Sequence, residues 1–150
     1  PLTEYCAVIT LRRRKIVFQG LLATLPHFMS YFGVAVVLSV LFITLYVNIT
    51  PHKEISLIKA GNTAVSIQLV GTFLGFVAPL AIIIGHSINL YDVMAWGAVA
   101  LIVQVVTFYM LSLLFAGIEK RIGENCISSG IFVGGISFGI GALQAACMVP

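Results

Sequence analysis

At 150 residues the chain is long enough for one domain, yet 60% of it is apolar and only 9% is charged, with a mean hydropathy of +1.11. Soluble domains carry about 25% charged residues, so a water-soluble fold of this composition would aggregate. The net charge of +3 does not point to nucleic acid either, because four of the eight cations form the single run Arg12, Arg13, Arg14 and Lys15, a basic flank of the kind that borders a membrane helix.

Residues 1–27 read as a leader, amphipathic or partly disordered. Its basic cluster followed by the apolar run Ile16–Leu25 has the shape of a secretory signal peptide, but no small-x-small cleavage site follows, and the run is too short to span. Beyond Lys15, every Asp, Glu, Lys and Arg falls in three short patches. These leave uncharged stretches at Ile16–His52, Ala60–Tyr91, Val93–Ile118 and Asn125–Pro150. A hydrocarbon core about 30 Å thick needs about 20 apolar residues of helix, so each stretch can cross a bilayer.

The first span is expected over Phe28–Ile49, with Pro26 as a helix start or kink and Asn48, Thr50 and Pro51 at the exit. The others follow at Thr63–Ile84, Val93–Phe115 and Cys126–Cys147, each preceded by a side chain able to accept from unpaired first-turn amides: Asn62, Asp92 and Asn125. Tyr46, Tyr91, Trp96 and Tyr109 lie near span ends, where an amphipathic ring suits the headgroup region. Cys126 and Cys147 would stand roughly 30 Å apart along the last helix, too far for a disulfide. With Cys6 they form no zinc or redox spacing.

Laying the second half of the chain over the first so that Asn62 falls on Asn125 pairs Thr44 with Thr107, Tyr46 with Tyr109, Ser66 with Ser129 and Gly71 with Gly134, without a gap. The coincidence of a capping Asn, a helical Ser and a Gly at one depth argues for duplication. The expected fold is therefore all-α: a polytopic membrane protein whose four transmembrane helices form two parallel-repeat hairpins, residues 28–90 and 91–150. Two spans per unit give both units the same orientation, with an axis along the membrane normal. Lys53, Lys59, Lys120 and Arg121 in the hairpin loops place those loops in the cytoplasm and both termini outside, once the basic leader is discounted.

The stretches ITPHKEISLIKAGNTA (Ile49–Ala64), GTFLGFVAPLA (Gly71–Ala81), AWGAVALIVQ (Ala95–Gln104) and AACM (Ala145–Met148) resemble the YjfL-like bacterial inner-membrane proteins. That family is built from a duplicated two-helix unit and is of unknown function. The resemblance covers roughly Leu21–Pro150. It departs at Pro1–Lys15, upstream of the usual start, and at Gln144, where the family typically carries Asn. It implies four helices and an inner-membrane location, and it brings no catalytic residues.

Residues that could carry chemistry are few. Gly71 and Gly75, followed by Pro79, and Gly130 with Gly134 have GxxxG spacing, as do Gly135 and Gly139. Small residues four apart let a neighbouring backbone approach, and Pro79 removes a helical hydrogen bond. These glycines, with Ser66, Gln68, Thr72, Gln104 and Gln144, mark either close helix packing or a polar path. A buried amide needs partners, so the three glutamines read as interhelical glue before they read as a pathway. The spans hold no Asp, Glu, Lys or Arg in their interiors, and proton relays and ion-coupled transporters usually place such groups there. His86 and Asp92 meet at a membrane edge, but one imidazole and one carboxylate fall short of a metal site. No nucleophile and base are paired for hydrolysis, and no cofactor is implied.

The composition thus leads to a non-enzymatic integral membrane protein whose mixed-charge loops, His52–Lys59 and Glu119–Glu124, dock a cytoplasmic membrane-stress partner or another copy of the chain. The docking set is Lys53, Glu54, Lys59, Glu119, Lys120 and Arg121, and envelope maintenance is the expected setting. Its partners are the lipid bilayer and a homo-oligomer, not nucleic acid. The alternative is an oligomeric channel or small-solute permease with a polar path along the glycine-rich second and fourth helices.

Overall fold

The computed structural model describes the backbone of residues 2–50 and 54–148 and the side chains of residues 20, 22–50 and 54–148. All the regular elements among them are helices: α1 Leu2–Ile49, α2 Glu54–Lys59, α3 Thr63–His86, α4 Leu90–Leu114, α5 Ile118–Gly123 and α6 Ile127–Cys147. Four segments are long and apolar enough to cross a membrane: Leu22–Ile49 within α1, and α3, α4 and α6 whole. The protein is an all-helical membrane protein, as composition demanded. Two compact units divide the chain, Pro1–Gly33 and Val34–Pro150.

Pro26 does not start the helix that contains the first span. It lies inside α1, where the Ser30 hydroxyl donates to the Pro26 carbonyl at 2.9 Å. Pro26 lacks an N–H and cannot donate one helical bond, but an apolar run this long pays for that loss with the bonds on either side. Residues 2–27, read as a leader, fall within α1.

The expected caps need two corrections. Asn62 caps α3 as expected, its Oδ1 accepting from Val65 N at 3.0 Å. Asp92, however, sits inside the first turn of α4, and Asn89 takes the cap position without a side-chain bond. Asn125 does not cap α6, whose cap position is Cys126. Its backbone is left-handed at φ 63°, a conformation Asn tolerates better than most residues, and its side chain turns to another helix.

In the second unit, α3 and α6 run parallel in close contact, and α4 lies against both. The Val34–Ile49 part of α1 packs by long aromatic side chains. Phe42 stacks on Phe76 with centroids 4.5 Å apart, and Tyr46 meets Phe108 edge-on at 5.4 Å. A second apolar cluster, Ala64, Val65, Leu111, Ile118, Ile122 and Val133, ties α5 to the loop ends of α3, α4 and α6.

Candidate functional site

The glycines of α3 and α6 are filled by each other. A Cβ added to Gly71 would stand 2.6 Å from the Gly134 Cα, and one on Gly134 would stand 2.9 Å from the Ile67 carbonyl oxygen. Further along, a Cβ on Gly130 would strike the Ala64 backbone, one on Gly75 the Ser137 carbonyl, and one on Gly141 the Gly75 backbone. Contacts that climb both helices together at backbone distance are the small-residue packing read from the GxxxG spacing. Gly135 and Gly139, which share that spacing, meet nothing within 4 Å. Gly141, absent from the sequence reading, replaces them, since one helix face carries Gly130, Gly134, Ser137 and Gly141 at steps of three and four.

The polar side chains of the spans divide between this seam and the core beside it. Gln68 donates Nε2 to the Tyr46 hydroxyl at 2.8 Å, and Thr72, fully buried, donates to the Gln68 carbonyl at 2.9 Å. The Thr72 hydroxyl lies 3.5 Å from that of Tyr46. Tyr46 is therefore a core residue at 1% exposure, not a headgroup anchor, whereas Tyr91, Trp96 and Tyr109 stay exposed. Gln104 crosses from α4 to donate to the Ser137 carbonyl at 3.1 Å, in space that a side chain on Gly75 would take. Pro79 is buried, and Ser66 bonds back to the Asn62 carbonyl at 2.9 Å. Gln144 joins none of these groups: both its amide atoms are buried near the far end of α6 with no partner among the described residues.

The regions read as charged loops contain short helices, each with one apolar face. In α2, Leu57 and Ile58 pack inward; in α5, Ile118 and Ile122 do so. Lys59, Lys120 and Arg121 remain exposed, and Lys120 reaches Glu124 at 3.9 Å, an exposed pair of little energetic weight. Glu119 is half-buried and accepts from the Ser112 hydroxyl. Lys53 lies outside the described residues.

Glu54 corrects the expectation of an exposed docking side chain. It is 1% exposed, neither carboxylate oxygen has a hydrogen-bond partner among the described residues, and burial pushes its pKa up to about 7. The Thr50 hydroxyl, already donating to the Tyr46 carbonyl at 2.7 Å, offsets this only in part. The sequence does hold the signal for this burial: Glu54, Leu57 and Ile58 share a face once the segment is read as helix.

The two loop regions are joined by their asparagines. Asn62 Nδ2 donates to the carbonyls of Ile122 and Gly123, at 3.2 and 2.9 Å, while Asn125 Oδ1 accepts from Ala64 N at 3.1 Å. Each turn thus satisfies backbone groups that the other leaves open at a helix end. The turns after α2 and α5, helices that carry the exposed Lys59, Lys120 and Arg121, are thereby joined at one end of α3 and α6.

The family model described as Domain of Unknown Function (DUF350) matches residues 20–148, nearly the whole described chain. The chain belongs to this family. Among similar proteins, the UPF0719 inner membrane protein YjfL of Escherichia coli (strain K12) is 35% identical over 128 residues, covering 85% of this chain and 97% of the relative. The UPF0719 transmembrane protein YshE of Bacillus subtilis (strain 168) is 28% identical over 113 residues, 73% of this chain and 80% of the relative. The YjfL-like resemblance read from the loop and helix segments is thereby established. No solved structure matches the chain.

Proposed function

We propose that this family member is an inner-membrane scaffold, without enzymatic activity, that docks a cytoplasmic partner or a second copy of itself through the joined α2 and α5 platform. The observation that carries this reading is the reciprocal Asn62 and Asn125 bonding, which joins the turns after α2 and α5, the helices that carry Lys59, Lys120 and Arg121. Separate mobile loops would lose conformational entropy on binding; a platform ordered in advance loses less. The inner-membrane location is supported by the name of the Escherichia coli relative, and the cytoplasmic placement by the cations of the two loop regions. Envelope maintenance is the setting we assign to it.

The duplication belongs to the same reading. Gly71 and Gly134, paired when Asn62 is laid on Asn125, touch each other at the seam, as equivalent residues do beside a twofold axis. The channel alternative is less well supported, because Gly71, Gly75, Gly130 and Gly134 are occupied by backbone and Gln68 by Tyr46. The groove beside the seam is lined by Ser66, Ile67, Val70, Gly71, Ile131, Gly134, Gly135 and Phe138, all apolar or glycine but for Ser66.

The test reverses the platform charge: Lys59→Glu, Lys120→Glu and Arg121→Glu together, in the full chain. Crosslinking from the platform to its partner or to a second copy should disappear while the circular-dichroism melt is retained. Unchanged crosslinking in a folded variant would refute the docking role.

A further inference from the structure

At the opposite end of the bundle, where α3 and α6 finish and α4 begins, a cavity of about 700 Å³ opens between these three helices. Its α4 wall is formed by Asp92, Trp96, Val99 and Val103. This i, i+4, i+7, i+11 series is one helix face, running roughly 16 Å from the first turn toward the middle of the span. The wall therefore changes character with depth, with a carboxylate and an indole at the mouth and branched aliphatic groups inside. Ile83 of α3 continues the apolar lining.

His86, Ser87 and Gln144 add polar side chains to the lining. His86 places Nδ1 2.9 Å from the Ile82 carbonyl, which can only accept, so Nδ1 holds a proton. Gln144 is the more telling. Among the described residues both atoms of its amide are shielded from water and lack a hydrogen-bond partner. A buried amide left unmatched costs about 1–3 kcal/mol, and a turn of this lining side chain into the cavity would let a ligand supply the missing bonds. Asp92 gives the lining its one carboxylate, and no Lys or Arg accompanies it.

We propose that this cleft binds one phospholipid with a primary-amine headgroup. The ammonium lies between the Asp92 carboxylate and the face of Trp96, combining a charge pair with a cation–π contact. The Gln144 amide donates to the phosphate or ester oxygens, and one acyl chain follows Val99 and Val103 inward. The site is at the membrane face opposite the charged platform and does not depend on docking there. An anionic headgroup without an amine would bring its charge against Asp92 with nothing to neutralise it.

Native mass spectrometry of the purified full chain in detergent tests the proposal, with phosphatidylethanolamine and phosphatidylglycerol of identical acyl chains as probes. The wild type should retain one phosphatidylethanolamine per chain with roughly ten-fold preference over phosphatidylglycerol. Asp92 is exposed, so Asp92→Asn should keep the fold and bring that preference close to unity. Gln144→Leu should weaken retention of both lipids. Equal retention of the two lipids by the wild type, or an unchanged preference in Asp92→Asn, overturns the proposal. Displacement of the lipid by equimolar phosphoethanolamine would overturn it too, by showing that a soluble headgroup alone suffices.

Discussion

Glu54 is a carboxylate that folding removes from water without giving it a hydrogen-bond partner among the described residues. Its pKa rises from 4.5 to about 7, so the folded state binds the proton more tightly than the unfolded one. The sign of the pH dependence follows from that rise. Below about pH 4.5 both states are protonated and the group carries no penalty; stability then falls until the folded-state value near 7 is passed, and stays flat above it. The full penalty is about 3 kcal/mol, from the usual 1.36 kcal/mol per unit. Glu54→Gln should leave the melting temperature in detergent little changed at pH 4.5, raise it at pH 8, and remove the slope between. A variant that melts below the wild type at pH 8 would show that the carboxylate is stabilising. Loop composition suggested a solvated charge here; burial depends on Leu57 and Ile58 carrying that face of α2 into the bundle.

The contact between α3 and α6 shows why a motif does not by itself locate an interface. Gly71 and Gly135 both stand in GxxxG pairs, but only Gly71 has a backbone across from it. Gly71→Ala must push the helices apart, with an expected cost of about 1–3 kcal/mol. Gly135→Ala adds its methyl to open space and gains helix propensity, so it should be neutral or stabilising by about 0.5–1 kcal/mol. Chemical or thermal unfolding of the two variants in the same detergent separates them. Equal destabilisation would mean that the α3–α6 contact is not made through the Gly71 face. GxxxG spacing made both glycines candidates because it reports only which residues share a face. Which faces meet depends on how far each helix is rotated about its axis, and that rotation is set by the aromatic and amide contacts of α1 and α4.

Across the molecule the two halves are alike at the seam and different around it. Tyr46 is buried against Gln68 and Phe108, whereas Tyr109, its partner in the duplicated register, is half exposed. Glu54 falls opposite Gly117, so the buried carboxyl belongs to one half alone. Under the proposed duplication, a single chain is free to let its two hairpins diverge in this way. Because α6 crosses once, its ends also report orientation: Cys126 precedes it on the platform side, and Cys147 ends it, both as free thiols. The Ser128 hydroxyl lowers the Cys126 pKa to about 7, giving a reactive thiolate at neutral pH. In a Cys6→Ser background, a membrane-impermeant maleimide should label Cys147 in intact cells and Cys126 only after permeabilisation. The reverse pattern would put the platform outside and end the cytoplasmic docking reading.

Membrane residence, helical class and the approximate limits of the later spans follow from the sequence alone, because hydrocarbon tolerates long charge-free helices and few other structures. The GxxxG spacings and the family resemblance were legible there as well. Side-chain partners were not. That Asn62 and Asn125 bond across two turns and that Tyr46 leaves the interface for the core both depend on which helix faces meet. Those meetings join residues far apart in the chain, and no local pattern of polarity encodes them.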